Sequence, residues 1–286
     1  MIGGIEKYWF LFGLATIFII FAVVQDLRKR EVANWLNFSL LGFALAYRAF
    51  FASFSGEIMF FVYGVIGAGL FFGLANLFYY SRMFAGGDAK LLMALGAVLP
   101  FESLNDFLYV GFGFLFALFL AGAVYSLCYS GHIVYRNSAK FKKEFAINYG
   151  KMMYAQLLVM IAIVVLVLIY ALGGPINISV LLVLVVFPYA MFLLFIYLKS
   201  LDRCMIKYAN ANELTEGDWL EQEVRIGNYV IKKSVHGLSW DDIMKLRKAK
   251  KKALIKEGIP FTPAFLIAFA IQSIFFFSGF NLFLML

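Results

Sequence analysis

Two aspartates, Asp26 and Asp88, stand at the ends of long apolar runs, in the segments Gln25-Asp26-Leu27-Arg28-Lys29-Arg30 and Ala85-Gly86-Gly87-Asp88-Ala89-Lys90. A carboxylate at the margin of a hydrocarbon layer is costly and marks a functional site by default. Two carboxyls able to face each other suit aspartic-protease chemistry, in which one proton is shared and a water is activated. Gly86 and Gly87 are expected to bend the backbone sharply before Asp88 and to let a substrate strand approach closely. The bland alternative is two loop acids paired with Arg28 and Lys90.

The elements that must hold these acids are rich in hydrocarbon. The 286 residues are 63% hydrophobic and only 15% charged, with a mean hydropathy of +0.86. That composition argues for an all-α polytopic membrane protein and against a soluble domain. About eight transmembrane helices are expected, over 8–24, 34–54, 58–80, 89–100, 106–130, 152–172, 178–198 and 263–284. A crossing normally takes roughly 20 residues, so the fourth is short and must be tilted, shielded by protein or bordered by water. The first run lacks a basic leader and an Ala-x-Ala exit and ends in Arg28-Lys29-Arg30, so it reads as a retained span.

Charge sets the orientation. Of the 25 Lys and Arg residues, all but Lys7 and Arg48 fall on one side of these spans. The positive-inside rule makes that side cytoplasmic and puts the N-terminus outside. The net charge of +8 is thereby explained by topology, with no nucleic-acid partner. Both aspartates lie beside cytoplasmic basic loops.

Four regions follow: 1–130, a catalytic transmembrane core; 131–198, a cytoplasmic basic loop with two further spans; 199–262, a small cytoplasmic α+β insert; and 263–286, a C-terminal span. In the insert, Glu223 to Lys232 reads as a hairpin turning at Gly227-Asn228. Ser239-Trp-Asp-Asp242 opens a helix with a capping serine, expected to run through Lys252 toward Gly258-Ile-Pro260 and to lie near anionic lipid headgroups. Glu213, Glu216, Asp218, Glu221 and Glu223 form an acidic cluster, read first as a solvated loop and second as an attractor for a basic substrate segment. Cys128 and Cys204 support neither a metal site nor a disulfide, no cofactor is expected, and His132 and His236 receive no role. Asn34 is expected to cap the second span, Arg48 to snorkel outward, and Phe275-Phe276-Phe277 to face lipid.

Taken together, the two aspartate segments resemble those of the type IV prepilin and archaeal preflagellin (prearchaellin) peptidases, membrane aspartic proteases with a GxGD signature. The first family site has an aspartate, an arginine shortly after, then Ile-Pro-Asn. Asp26, Arg28, Arg30 and Asn34 fit, with Val32-Ala33 in place of Ile-Pro. The second is GxGD followed by Lys-Leu; Gly87-Asp88-Ala89-Lys90-Leu91 fits, with Ala85 where the first glycine is usual. The resemblance covers roughly the first 130 residues, and the part from Leu201 onward is similar to the C-terminal region of an archaeal subgroup. It implies Asp26 and Asp88 as the catalytic acids, with Gly86, Gly87, Arg28, Lys90 and Asn34 shaping the site. It also implies removal of the short basic leader (class III signal peptide) from membrane-inserted prepilin or prearchaellin precursors at the cytoplasmic face. The paired CxxC motifs of the bacterial methylating members are absent, so no methyltransferase activity is inferred.

Two rivals remain. A presenilin or signal-peptide-peptidase type enzyme places Tyr before the first acid, where this chain has Gln25. Thr262-Pro263-Ala264-Phe265 faintly resembles the Pro-Ala-Leu element of those proteases, but is not expected to border the site. An ion-coupled transporter predicts inverted repeats and broken helices, and neither is visible in the sequence.

Overall fold

A computed structural model describes residues 5–173, 177–227, 229–234 and 237–279. The chain divides into two compact units, Met1–Cys128 with Ile259–Leu286, and Tyr129–Gly258.

The first unit contains α1 (Glu6–Lys29), α2 (Asn34–Ser55), α3 (Ile58–Tyr80), α4 (Gly86–Gly96), the start of α5 (Leu104–Arg136) and, from the far end of the chain, the helix Thr262–Ser278. On α1 the buried residues Tyr8, Leu11, Phe12, Ala15, Ile19, Ala22 and Asp26 recur every three or four positions, the period of one helix face. Asp26 is the last member of that stripe, so the pattern that buries the core also turns the acid inward. The C-terminal helix packs on this face. Phe12 stacks on Phe269 and Phe276, and Trp9 on Phe277 at 4.1 Å between centroids. Phe276 and Phe277, expected to face lipid, instead pack against the core.

The fourth expected span is not a crossing helix. α4 stops after 11 residues, about half the thickness of the hydrocarbon layer. The backbone beyond it, Ala97 to Phe101, is fully buried. Irregular backbone at membrane depth is tolerated only where its polar groups find partners, and here Arg48 supplies them. Its guanidinium donates to the carbonyls of Ala97 and Leu99 at 2.7 Å each, to Val98 at 3.4 Å and, across the groove, to Phe60 at 2.7 Å. The cation also sits 4.5 Å from the Phe60 ring centroid. Arg48 is therefore no snorkelling side chain: it points into the protein and caps the carbonyl end of a half-helix. Gly64 leaves room for it, since a Cβ there would lie 2.3 Å from Arg48 Cδ. α3 and α4 meet backbone to backbone, a Cβ on Gly67 falling 2.3 Å from the Gly96 carbonyl oxygen; small residues make this close approach possible.

The second unit contains the rest of α5, then α6 (Ser138–Lys151), α7 (Met153–Ala171), α8 (Ile178–Cys204) and the insert. The stretch 132–151, expected as a basic loop, is helical, because α5 runs on to Arg136 and α6 follows at once. Among the described residues six helices (α1, α2, α3, α5, α7 and α8) are long and apolar enough to cross a membrane. The architecture is that of a multi-pass membrane protein with a small strand-containing insert. The C-terminal helix is shorter, and residues 280–284 of its expected span lie outside the described residues, as does the loop residue Pro175.

In the insert, β1 (Ile206–Ala209), β2 (Trp219–Leu220) and β5 (Ala253–Lys256) form an antiparallel sheet in the order β1-β5-β2, while β3 (Val224–Ile226) pairs with β4 (Tyr229–Ile231). The β3–β4 register sets Ile226 opposite Tyr229, which leaves the expected two-residue loop. Gly227 there has φ 58°, and Asn228 lies outside the described residues, as does His236. Ser239 caps α9 (Trp240–Lys248) by accepting from the Asp242 N–H. The helix ends ten residues before Gly258, short of the expected length. Ala253 and Ile255 alternate inward along β5, a period-two burial that a helix cannot provide.

Candidate active site

The chain closes α1 just past Asp26. Arg30 takes a left-handed conformation, φ 59°, and its N–H bonds the Asp26 carbonyl at 2.8 Å. Gln25 then holds the loop from the other side, its Oε1 accepting the Ala33 N–H at 3.0 Å. Asp26 itself is buried, 7% exposed. Its Oδ2 accepts two hydrogen bonds from one residue, the Thr262 N–H at 3.2 Å and the Thr262 hydroxyl at 2.9 Å.

Asp88 lies in the first turn of α4 and is equally buried. Its Oδ2 accepts the Ala85 N–H at 3.3 Å, the acid's half of a capping box, which fixes the side chain against its own helix.

Three contacts bind the two aspartate segments together. Lys90 Nζ donates to Asn34 Oδ1 at 2.5 Å. Asn37 Nδ2 donates to the Gly87 carbonyl at 3.2 Å. Val32 packs on Gly87 so closely that an added Cβ would sit 3.1 Å from the valine Cβ. Asn37 is fully buried, and its Oδ1 is a buried atom with no hydrogen-bond partner among the described residues.

Several expected roles change in this setting. Gly86 and Gly87 do not make the bend: both belong to the first helical turn, and neither has a positive φ, whereas Arg82 upstream has φ 62°. Gly87 is small because Val32 lies against it. Asn34 is not the cap of α2; Ala33 holds that position, and Asn34 instead receives Lys90. Arg28 is exposed in the last turn of α1, where a cation suits the helix C-terminus.

The five acids of the insert lie in the second unit. Glu213 bonds the Asn210 side chain at 2.9 Å, Asp218 accepts the Thr215 N–H at 2.8 Å, and Glu221 pairs with Arg203 at 3.5 Å. Glu213 and Asp218 thus support their own loop, and Glu221 ties it to the last turn of α8. Glu216 and Glu223 are exposed. Burial holds the Asp218 carboxyl above the usual carboxylate range. Among the described residues no group of three or more His, Cys, Asp or Glu is gathered as a metal site would require.

Nothing in spacing or motif singles out Asn37, and the segment Thr262-Pro263-Ala264-Phe265, not expected to border the site, does border it through Thr262. Thr262 and Pro263 before an apolar run signal a helix start, yet nothing local announces that this start reaches Asp26, 236 positions earlier.

Residues 13–127 match the type IV leader peptidase family. A preflagellin peptidase of Methanocaldococcus jannaschii is 29% identical over 89 residues, which is 31% of this chain and 38% of that protein. The chain thus spans less than two fifths of the curated relative it matches. No solved structure matches. The family match contains both Asp26 and Asp88, and the two matches bear out the family resemblance.

Proposed function

We propose that this chain is a leader-peptide-processing protease of aspartic type, which removes the short basic leader from prepilin or prearchaellin precursors at the cytoplasmic membrane face. The observation that carries the reading is the burial of both Asp26 and Asp88 at helix ends, in two segments tied together through Lys90–Asn34 and Asn37–Gly87 and inside the stretch matched by leader peptidases.

Two such carboxyls resist ionising together, so the pair holds one proton. The ionised member takes a proton from water as its oxygen attacks the scissile carbonyl; the protonated member donates to the carbonyl oxygen. Collapse of the tetrahedral adduct breaks the C–N bond, and the amine leaves with a proton returned from the acids. Lys90, Asn34, Asn37 and Gly87 keep the two helix ends in register, and Arg28 contributes charge at the lip. The positive-inside distribution supports an external N-terminus and a cytoplasmic site, where water is plentiful and the precursor leader emerges. The acidic stretch Glu213 to Glu223 attracts the basic leader at long range, and the lysines of α6 and α9 favour anionic lipid.

The test is co-expression with a precursor carrying a basic leader before a hydrophobic helix, read by mass spectrometry of the product. A single cut between leader and helix is expected, abolished by Asp26→Asn and by Asp88→Asn. Turnover surviving in either variant rejects the acid pair. Ion uptake without cleavage would favour the transporter, and cuts within the hydrophobic helix the presenilin-like rival.

A further inference from the structure

We infer that Thr262 is a positioning residue of the acid pair, so that the C-terminal helix α10 (Thr262–Ser278) completes an active site whose other parts lie in the first hundred residues. The inference rests on the proposed aspartic mechanism. It goes beyond the family match, which ends at residue 127.

The geometry is specific. Thr262 is completely buried and presents two donors, its backbone N–H and its hydroxyl, to the same oxygen of Asp26. Two donors on one oxygen fix both the position and the plane of a carboxyl, which a single bond leaves free to swing. The backbone N–H is in the first turn of α10, where helical N–H groups have no partner within the helix. Asp26 satisfies that donor while Thr262 orients Asp26, so the two groups complete each other.

The rest of the fold delivers Thr262 to this point. α10 runs antiparallel to α1, and the same number of residues separates Phe12 from Asp26 as separates Thr262 from Phe276, a rise of about 21 Å in either helix. The stacking of Phe12 on Phe276 at one end therefore registers Thr262 on Asp26 at the other. Ahead of the threonine, the Phe261 ring lies against Gly122, where a Cβ would stand 2.5 Å from it. Phe84, just before α4, packs on both Phe261 and Phe265. One aromatic cluster thus buttresses the approaches to Asp88 and to Thr262. No residue of α10 is titratable, and the charged residue of α2 is Arg48, which caps the far end of α4. From α10, Asp26 therefore receives an uncharged double donor.

The experiment compares Thr262→Val, which keeps the shape and the backbone N–H but loses the hydroxyl, with Thr262→Ser, which keeps both donors. Full-length protein in detergent is assayed on a synthetic precursor with a basic leader and hydrophobic helix. Thr262→Val is expected to lower kcat about 10- to 100-fold, in line with misplacement of a reacting group, with KM within about twofold of the parent. Thr262→Ser retains kcat within about threefold. The Asp26 carboxylate infrared band, isolated by difference against Asp26→Asn, should shift in the valine variant. Should valine fail to fold, Thr262→Ala gives the same comparison without a branched side chain. A valine variant at the parental kcat with an unmoved band overturns the inference, as does equal impairment of valine and serine. If Asp26→Asn is dead while Thr262→Val is fully active, only this inference falls; if Asp26→Asn still cleaves, the proposed function falls first.

Discussion

Replacing Arg48 by methionine removes the guanidinium while keeping much of the side-chain volume. The Ala97, Val98, Leu99 and Phe60 carbonyls all lose a donor. Leu99 keeps the Phe101 N–H at 2.9 Å, so the loss falls mainly on Ala97 and Val98. An unsatisfied buried acceptor costs roughly 1–3 kcal/mol, and the short backbone stretch has no water to turn to. Against this stands the relief of no longer burying a cation that has no carboxylate within ion-pair distance among the described residues, a relief that in other proteins has made apolar replacements neutral or stabilising. Because the replacement leaves carbonyls behind rather than an apolar pair, the unmet acceptors should win, and a net destabilisation of about 3 kcal/mol is expected. Arg48→Lys offers a single compact ammonium in place of the planar fork and should recover less than half of it. The assay is reversible unfolding of the full chain in mixed micelles, with detergent composition as the denaturing variable. Arg48→Met at parental stability or above, or a lysine variant equal to arginine, would refute the reasoning.

Gly67→Val and Gly96→Val should each drive α3 and α4 apart, since the added carbon meets backbone that cannot rotate away; both should lose several kcal/mol in the same unfolding assay, and parental stability would deny the close approach. Gly64→Val should mimic Arg48→Met by displacing the guanidinium, and the double variant should be no worse than either alone, a coupling read from a double-mutant cycle. Asn37→Leu removes the bond to the Gly87 carbonyl but also relieves the buried Oδ1, so stability should change by less than about 1.5 kcal/mol while kcat on a precursor falls; unchanged kcat would show that the tether does not matter. Ser239→Ala should cost about 1 kcal/mol through loss of the α9 cap, visible as faster hydrogen exchange in α9 of the intact protein. Asp218 is an acid raised by burial, so its contribution to insert stability is fully present below the ordinary carboxylate range and is lost as pH rises through its folded value. Exchange protection of β1 and β5 should accordingly weaken from acid toward neutral pH, and Asp218→Asn should flatten that trend.

Composition and periodicity were enough for the class of fold, because long apolar runs and one-sided charge are properties of local sequence that a bilayer reads directly. The two aspartates were legible for the same reason: an acid at the end of an apolar run stands out against its neighbours. The hairpin at Gly227 and the capping serine at residue 239 likewise depend on two to four adjacent residues. The errors came where a residue's role depends on distant partners. Arg48 looks like a snorkelling cation until the broken end of α4 arrives beside it, and Gly87 looks like a hinge until Val32 lies on it. Lys250 to Lys256 continues a helical charge pattern, yet pairing with β1 and β2 outweighs local propensity there. Tertiary structure alone decided that Asp26 should accept from Thr262. Hydrogen bonds act over about 3 Å, and only the antiparallel packing of the last helix on the first brings within that range two groups the chain holds far apart.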